Sequence, residues 1–191
     1  MIQPSKKGGE SIFVDGYTVL ETIRDTDIEA FETLCTTEFG FRCMDDCTGW
    51  HLESRFSIVR CNKGNGVKGD KHERFGEIVQ IRHNDLDRLP TIPPHDMLIR
   101  GDDKEIEDFY IRVNHALGLF DSLLSSDVYR QVIPLQVGEM VAVSNQRVLH
   151  GRTSFLVAHD SNRSVSGCYV SQDDLDSRTR MEFDYSAICR G

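Results

Sequence analysis

VLHGRTSF, residues 148–155, holds one histidine, His150, between an apolar run and two flanking arginines, and Arg163 stands thirteen residues beyond it. The residues just before, EMVAVSN (139–145), read as a strand that delivers the chain to a buried place. Asn145, Arg147, His150 and Arg152 then crowd within eight residues. A neutral imidazole ligates divalent iron, and a guanidinium nearby grips a carboxylate through paired hydrogen bonds. A metal, a histidine and an arginine on adjacent strands form the minimal description of a site that chelates an oxo acid. On spacing alone the same residues also fit a surface or core histidine beside solvated arginines.

Working outward, residues 10–16 (ESIFVDG) alternate weakly and end in a turn signal, which predicts a strand. Residues 18–37 predict two short helices broken near Asp25-Thr26-Asp27, with Asp27 capping the second. SRFSIVRC (54–61) and FGEIVQIR (75–82) alternate as strands, and the Gly/Lys-rich residues 62–73 between them read as an exposed hairpin loop. Residues 91–103 read as a loop. In residues 105–124, Ile106, Phe109, Tyr110, Val113, Ala116, Leu117, Phe120 and Leu124 fall on one helical face. VYRQVIPL (128–135), EMVAVSN and SVSGCYV (164–170) read as strands. DDLDSRTRM (173–181) reads as a closing helix with Asp173 near its N-cap. Long-range strands with one prominent helix suit an α+β fold on an antiparallel sheet or barrel.

Of the 191 residues, 39% are apolar and 28% are charged, an ordinary globular composition with enough chain for one domain with a core. A net charge of −9 argues against nucleic acid or an anionic membrane surface as partner. No apolar run approaches the ~18 residues of a membrane span, and the first residues lack the apolar stretch of a secretory signal. The six cysteines, Cys35, Cys43, Cys47, Cys61, Cys168 and Cys189, match no zinc spacing and are expected as reduced thiols.

QRVLHGRTSF followed by NRSVSGCYVSQDDLDSR resembles the C-terminal region of the Fe(II)/2-oxoglutarate dioxygenases of the gamma-butyrobetaine and trimethyllysine hydroxylase group, in the taurine dioxygenase-like superfamily. The likeness runs back through VGEMVAVSN and EIVQIRHNDLDR to GGESIFVDGYTV, nearly the whole chain. It implies a partial double-stranded β-helix, a jelly-roll-like barrel with flanking helices, over residues 1–191. His150 matches the distal histidine of the iron triad, and Arg163 the arginine that pairs with the far carboxylate of 2-oxoglutarate. Ser11 matches a hydroxyl residue near that co-substrate. Asn84 matches an asparagine at the substrate carboxylate, and Tyr169 an aromatic of the cage around a trimethylammonium group, which π faces hold because it has no proton to donate.

Local readings stand beside these. Tyr169 also fits a plain strand aromatic, Asn84 a turn cap with Asp85 and Asp87, Ser11 an ordinary strand residue, and Arg163 a surface pair with Asp160 or Asp173.

A non-haem iron site of this kind needs two histidines and one carboxylate. The resemblance puts the first pair, His-x-Asp, upstream of GGES, before Met1. His83-Asn84-Asp85 also spells His-x-Asp. It is set aside because only one helix and two strands separate it from His150, too few for two ligand elements to converge across a barrel. The expectation is therefore the C-terminal portion of a hydroxylase using Fe(II), 2-oxoglutarate and ascorbate on a trimethylammonium acid of carnitine biosynthesis. Gamma-butyrobetaine is preferred to trimethyllysine. The alternative is an inactive short isoform or pseudoenzyme that binds 2-oxoglutarate or a full-length partner. A homodimer and a cytoplasmic location, with the mitochondrion as alternative, complete the expectation.

Overall fold

The apolar faces of three helices decide where the core lies. The computed structural model describes residues 7–45, 47–64, 74–100, 102–155 and 164–182. They fall into two units, a larger one of Gly9–Pro134 with Val141–Ser154 and a smaller one of Met1–Gly8, Leu135–Met140 and Phe155–Gly191.

In the larger unit, strand β1 (Ser11–Asp15) runs straight into helix α1 (Gly16–Thr26) and then α2 (Ile28–Thr36). Asp15 caps α1 by accepting from the Tyr17 N–H at 3.1 Å, and Asp27 caps α2 by accepting from the Ala30 N–H at 2.9 Å. The sequence places that helix break correctly, because two short acidic caps satisfy helix N–H groups that otherwise go unpaired. Asp27 also meets the His115 imidazole at 2.7 Å, which ties α2 to the long helix α4 (Asp103–Leu124). Phe109, Val113, Ala116 and Phe120 on α4 are buried with Val19, Leu20 and Ile23 of α1 and Ala30, Phe31 and Leu34 of α2. The expected α4 face holds, except that Tyr110 is 39% exposed and reaches the Thr91 carbonyl. The segment 91–103, expected as a loop, contains the short helix α3 (His95–Arg100).

The strands form three small antiparallel sheets. β2 (Phe39–Asp45) pairs with β3 (Trp50–Phe56), and Phe41 stacks on Phe56 with ring centroids 4.5 Å apart. β4 (Val59–Lys63) pairs with β5 (Phe75–Ile81). The third sheet has the order β6-β1-β7, with β6 (Arg130–Ile133) and β7 (Val148–Arg152) on either side of β1. The expected strand 54–61 is therefore two strands broken at Ser57-Ile58, and β2 escaped the sequence reading. Residues 65–73 of the expected hairpin loop lie outside the described residues.

In the smaller unit, α5 (Gln172–Glu182) starts one residue before Asp173, and Ser171 caps it by accepting from the Asp174 N–H at 3.1 Å. Two further expected strands are absent among the described residues. Residues 141–144 of EMVAVSN and 165–170 of SVSGCYV make no ladder, and Val141, Val143, Val165 and Val170 are substantially exposed. Alternation alone does not make a strand; the backbone groups need a partner to bond. Five cysteines, Cys35, Cys43, Cys47, Cys61 and Cys168, are free thiols, and Cys189 lies outside the described residues.

The turn from β1 to α1 is crowded. The Gly16 N–H donates to the Arg147 carbonyl at 3.1 Å, and a Cβ at Gly16 would sit 3.0 Å from that oxygen and collide with Ile81 Cδ1. Gly16→Ala is expected to destabilise the protein by about 1–3 kcal/mol through overpacking. The urea midpoint checks this, since an unchanged midpoint would mean that the junction relaxes freely.

Candidate functional site

The pairing register of the β6-β1-β7 sheet sorts its side chains between two faces. Ser11 lies opposite Arg152 and Ile133, and Phe13 lies opposite His150 and Gln131. Directly paired residues share a face, and neighbours along a strand alternate. Ile12, Val14 and Leu149 therefore lie on the other face, where Val14 is buried and Ile12 and Leu149 pack against the core. His150 and Ser11 thus sit as diagonal neighbours on the face turned away from the helices. His150 is exposed, Ser11 is buried, and among the described residues nothing hydrogen-bonds the His150 imidazole.

Several bonds fix where His150 falls. Arg147, three residues earlier, forks onto Asp15 with Nε–Oδ1 at 3.0 Å and a terminal nitrogen on Oδ2 at 2.6 Å. Its guanidinium also lies 5.3 Å from the Tyr17 ring centre. A turn at Ser144 precedes β7, with the Val148 N–H donating to the Ser144 carbonyl at 2.8 Å. Beyond β7, Thr153 accepts from the Gly9 and Glu10 N–H groups and donates to the Glu10 carboxylate. Its own N–H donates to the Glu10 carbonyl at 3.0 Å. Both ends of the strand are pinned to β1, so its register cannot slip without breaking a charge-assisted fork. The sequence pattern singles out Arg147 without this role; its signal is an acid at a helix cap and an arginine that follows a turn.

Asn84 lies in the loop after β5. Its side chain accepts from the Leu86 N–H at 3.1 Å and donates to the Asp87 carboxylate, so it caps a turn. It also lines a cavity of about 300 Å³ with Phe41, Leu52, Phe56, His83 and Asp87. Tyr169 is in the smaller unit and is 83% exposed. Arg163 lies outside the described residues. The structure thus brings Ser11 and His150 together on one sheet face, and Asn84 stands in a separate loop of the same unit.

One set of three metal-capable side chains converges among the described residues: His83, Asp85 and Asp121, with ligand atoms within 4.8 Å of one another. His83 Nε2 lies 3.5 Å from Asp85 and 3.7 Å from Asp121, and the ring meets Phe120 edge-on. Burial pushes the imidazole below its ordinary range, and burial together with Asp85 pushes the Asp121 carboxyl up. One imidazole and two carboxylates suit a harder divalent ion and differ from the two-histidine, one-carboxylate set. Asp121, on α4, was not foreseen. Among the described residues, His150 belongs to no set of three metal-capable side chains.

The family model for taurine catabolism dioxygenase TauD, TfdA family, matches residues 1–169. The chain belongs to this family. It is 25% identical over 181 residues to the gamma-butyrobetaine dioxygenase of Homo sapiens, covering 94% of this chain and 41% of that protein. It is 29% identical over 171 residues to the gamma-butyrobetaine dioxygenase of a Pseudomonas species, covering 90% and 38% respectively. It is 26% identical over 180 residues to the trimethyllysine dioxygenase of Neurospora crassa, covering 91% and 32%. The chain therefore spans about two fifths or less of the length of these relatives. Among the described residues no helix is long and apolar enough to cross a membrane.

The Arg147 fork holds the Asp15 carboxyl below its ordinary range, against a smaller opposing effect of burial. A carboxyl depressed in the folded state stabilises it fully above the ordinary value of 3.8, and that contribution fades as pH falls through the depressed value. Asp15→Asn is expected to lower the urea midpoint at pH 6, and the gap from the wild-type protein is expected to close on acidification below 3.8. Urea titrations between pH 6 and pH 2.5 check this; a gap independent of pH would contradict the assignment.

Proposed function

We propose that this chain carries part of the catalytic centre of an Fe(II)- and 2-oxoglutarate-dependent hydroxylase acting on a small trimethylammonium acid, with gamma-butyrobetaine preferred to trimethyllysine. In this reading the β6-β1-β7 sheet is one wall of a double-stranded β-helix, and the described residues form its C-terminal portion. His150 is one iron ligand, and the other two come from outside the described residues. The family resemblance gives the distal carboxylate of 2-oxoglutarate to Arg163 and a co-substrate contact to Ser11. The observation that carries the reading is the shared sheet face of Ser11 and His150, pinned in register by the Asp15–Arg147 fork. Family membership and the names of the relatives support the substrate class.

Each residue then has a physical task. The unbonded imidazole of His150 is free to offer a lone pair to a metal. An arginine at position 163 matches the planar carboxylate of an oxo acid better than a lysine would. Asn84, on the cavity wall, offers an amide to a substrate carboxylate once that group displaces its turn contacts. Tyr169 offers a π face to a quaternary ammonium. Bound iron and 2-oxoglutarate supply an oxidant strong enough for an unactivated C–H bond. The balance is one substrate, one dioxygen and one 2-oxoglutarate giving alcohol, succinate and carbon dioxide. Ascorbate serves as reductant outside that balance. The mitochondrial designation of one human relative, a trimethyllysine dioxygenase, keeps the mitochondrion open beside the cytosol.

The test uses the protein as isolated from its own cells, with Fe(II), 2-oxoglutarate and ascorbate. Succinate release is expected to rise on adding gamma-butyrobetaine, more than on adding trimethyllysine. His150→Ala is expected to abolish it, and Arg163→Lys to raise the 2-oxoglutarate KM with a smaller change in kcat. Binding of 2-oxoglutarate without turnover of either acid would favour the pseudoenzyme instead. Activity that survives His150→Ala but not His83→Ala would replace the proposed iron ligand.

A further inference from the structure

His83 is a buried group that the proposed centre does not use. Its side chain is 8% exposed, and Phe120 meets the ring edge-on with centroids 5.0 Å apart. Among the described residues its Nδ1 is buried without a hydrogen-bond partner. Its Nε2 faces two carboxylates, Asp85 Oδ2 at 3.5 Å and Asp121 Oδ1 at 3.7 Å. Both separations exceed the ~2.9 Å of a good hydrogen bond. Arg88 takes the other oxygen of Asp85, Oδ1, at 3.1 Å and leaves Oδ2 to the imidazole.

A neutral imidazole carries one N–H. Placed on Nδ1, that proton leaves a lone pair at Nε2 facing two negative groups. Placed on Nε2, it reaches neither carboxylate well and leaves Nδ1 a buried, unpaired acceptor. Burial disfavours the doubly protonated ring that would answer both carboxylates. What the three groups lack is a small positive charge between them.

We propose that His83 Nε2, Asp85 Oδ2 and Asp121 Oδ1 hold a divalent cation of the Mn(II) class, which clips the loop after β5 to the last turn of α4. The site is separate from the iron proposed at His150 and does not rest on that reading.

The distances suit such an ion. At metal–ligand distances of about 2.1 Å, two ligand atoms of one ion stand at most about 4.2 Å apart. The 3.5 and 3.7 Å separations lie inside that limit, and all three ligand atoms lie within 4.8 Å of one another. Rotation of the carboxylates, 57% exposed at Asp85 and 43% at Asp121, closes any remainder. The donors are also graded in depth. The imidazole is the floor and the carboxylates are the mouth, so an ion enters from solvent and keeps water on its open side. Imidazole with carboxylates and water suits Mn(II) better than Ca(II), whose ligands are oxygens, or a thiolate-seeking ion. The consequence is mechanical. His83 and Asp85 flank Asn84, so a bound ion steadies the loop that carries Asn84 on the cavity wall. With 2-oxoglutarate present the iron site fills first, since the co-substrate adds oxygens there.

The test uses the full protein carrying His150→Ala, which removes the proposed iron ligand, and titrates Mn(II) without 2-oxoglutarate. Calorimetry is expected to show one Mn(II) per chain. In protein labelled with nitrogen-15 in its imidazoles, the His83 ring resonances are expected to broaden before those of the other histidines. Mn(II) is expected to raise the urea midpoint, as a ligand of the folded state does. Adding Asp121→Asn is expected to weaken binding at least ~tenfold and to remove that rise. Should His83→Gln fail to fold, the partly exposed Asp85→Asn and Asp121→Asn decide. Absence of saturable Mn(II) binding in the His150→Ala protein would overturn the proposal. Binding that Asp85→Asn and Asp121→Asn both leave unchanged would overturn it too.

Discussion

The fork between Arg147 and Asp15 is the constraint on which the arrangement around His150 depends. Asp15 does two things with one carboxylate. It caps the helix that begins the core, and it holds Arg147, the residue just before β7. Helix and strand are thereby set from one point, and the pairing of β1 with β7 follows. A slip of one residue would turn His150 toward the helices and Leu149 away from them. The cost of that slip is the burial of an imidazole, the exposure of a leucine and a broken charge-assisted pair, so the register is strongly specified.

The Gly16 junction makes the same point through sterics. The backbone at Arg147 and the side chain of Ile81 close on a position with no room for a Cβ. The Ile81 N–H donates to the Gln146 carbonyl at 2.9 Å, so β5 is drawn to the same turn. The turn before β7 is thus the meeting place of β1, α1 and β5. The loop carrying His83 and Asn84 leaves from that end of β5, and the Arg42 N–H of β2 donates to the Asp87 carbonyl within it at 2.9 Å. The cavity beside Asn84 exists because this loop is held between two separate strand pairs.

Much of this was legible in the sequence where a signal was local. The helix break at Asp27, the start of β1 and the buried stripe of α4 each follow from a cap or a period. The shared face of Ser11 and His150 required a register, which no local pattern carries, although family resemblance singled out both residues. Alternation failed at Val141 and Val143 because a strand is a property of two segments, and no partner for them lies among the described residues. It also failed at β2, where Phe39, Gly40 and Phe41 are buried in succession and the period of two disappears. The gathering of Asp121 to His83 and Asp85 was invisible for another reason. Asp121 lies far along the chain from the other two, and they meet only because α4 packs beside the loop after β5.

His150, the proposed iron ligand, stands on a sheet face, whereas His83 gathers with Asp85 and Asp121 against α4. Under the proposed function the iron binds at His150. The most direct test is the histidine ring spectrum of the isolated protein, labelled with nitrogen-15 in its imidazoles, during titration with Mn(II) in the presence of 2-oxoglutarate. The account predicts that the His150 ring resonances broaden first and that His83→Gln leaves this unchanged. Early broadening of His83, with His150 sharp until excess metal, would contradict it.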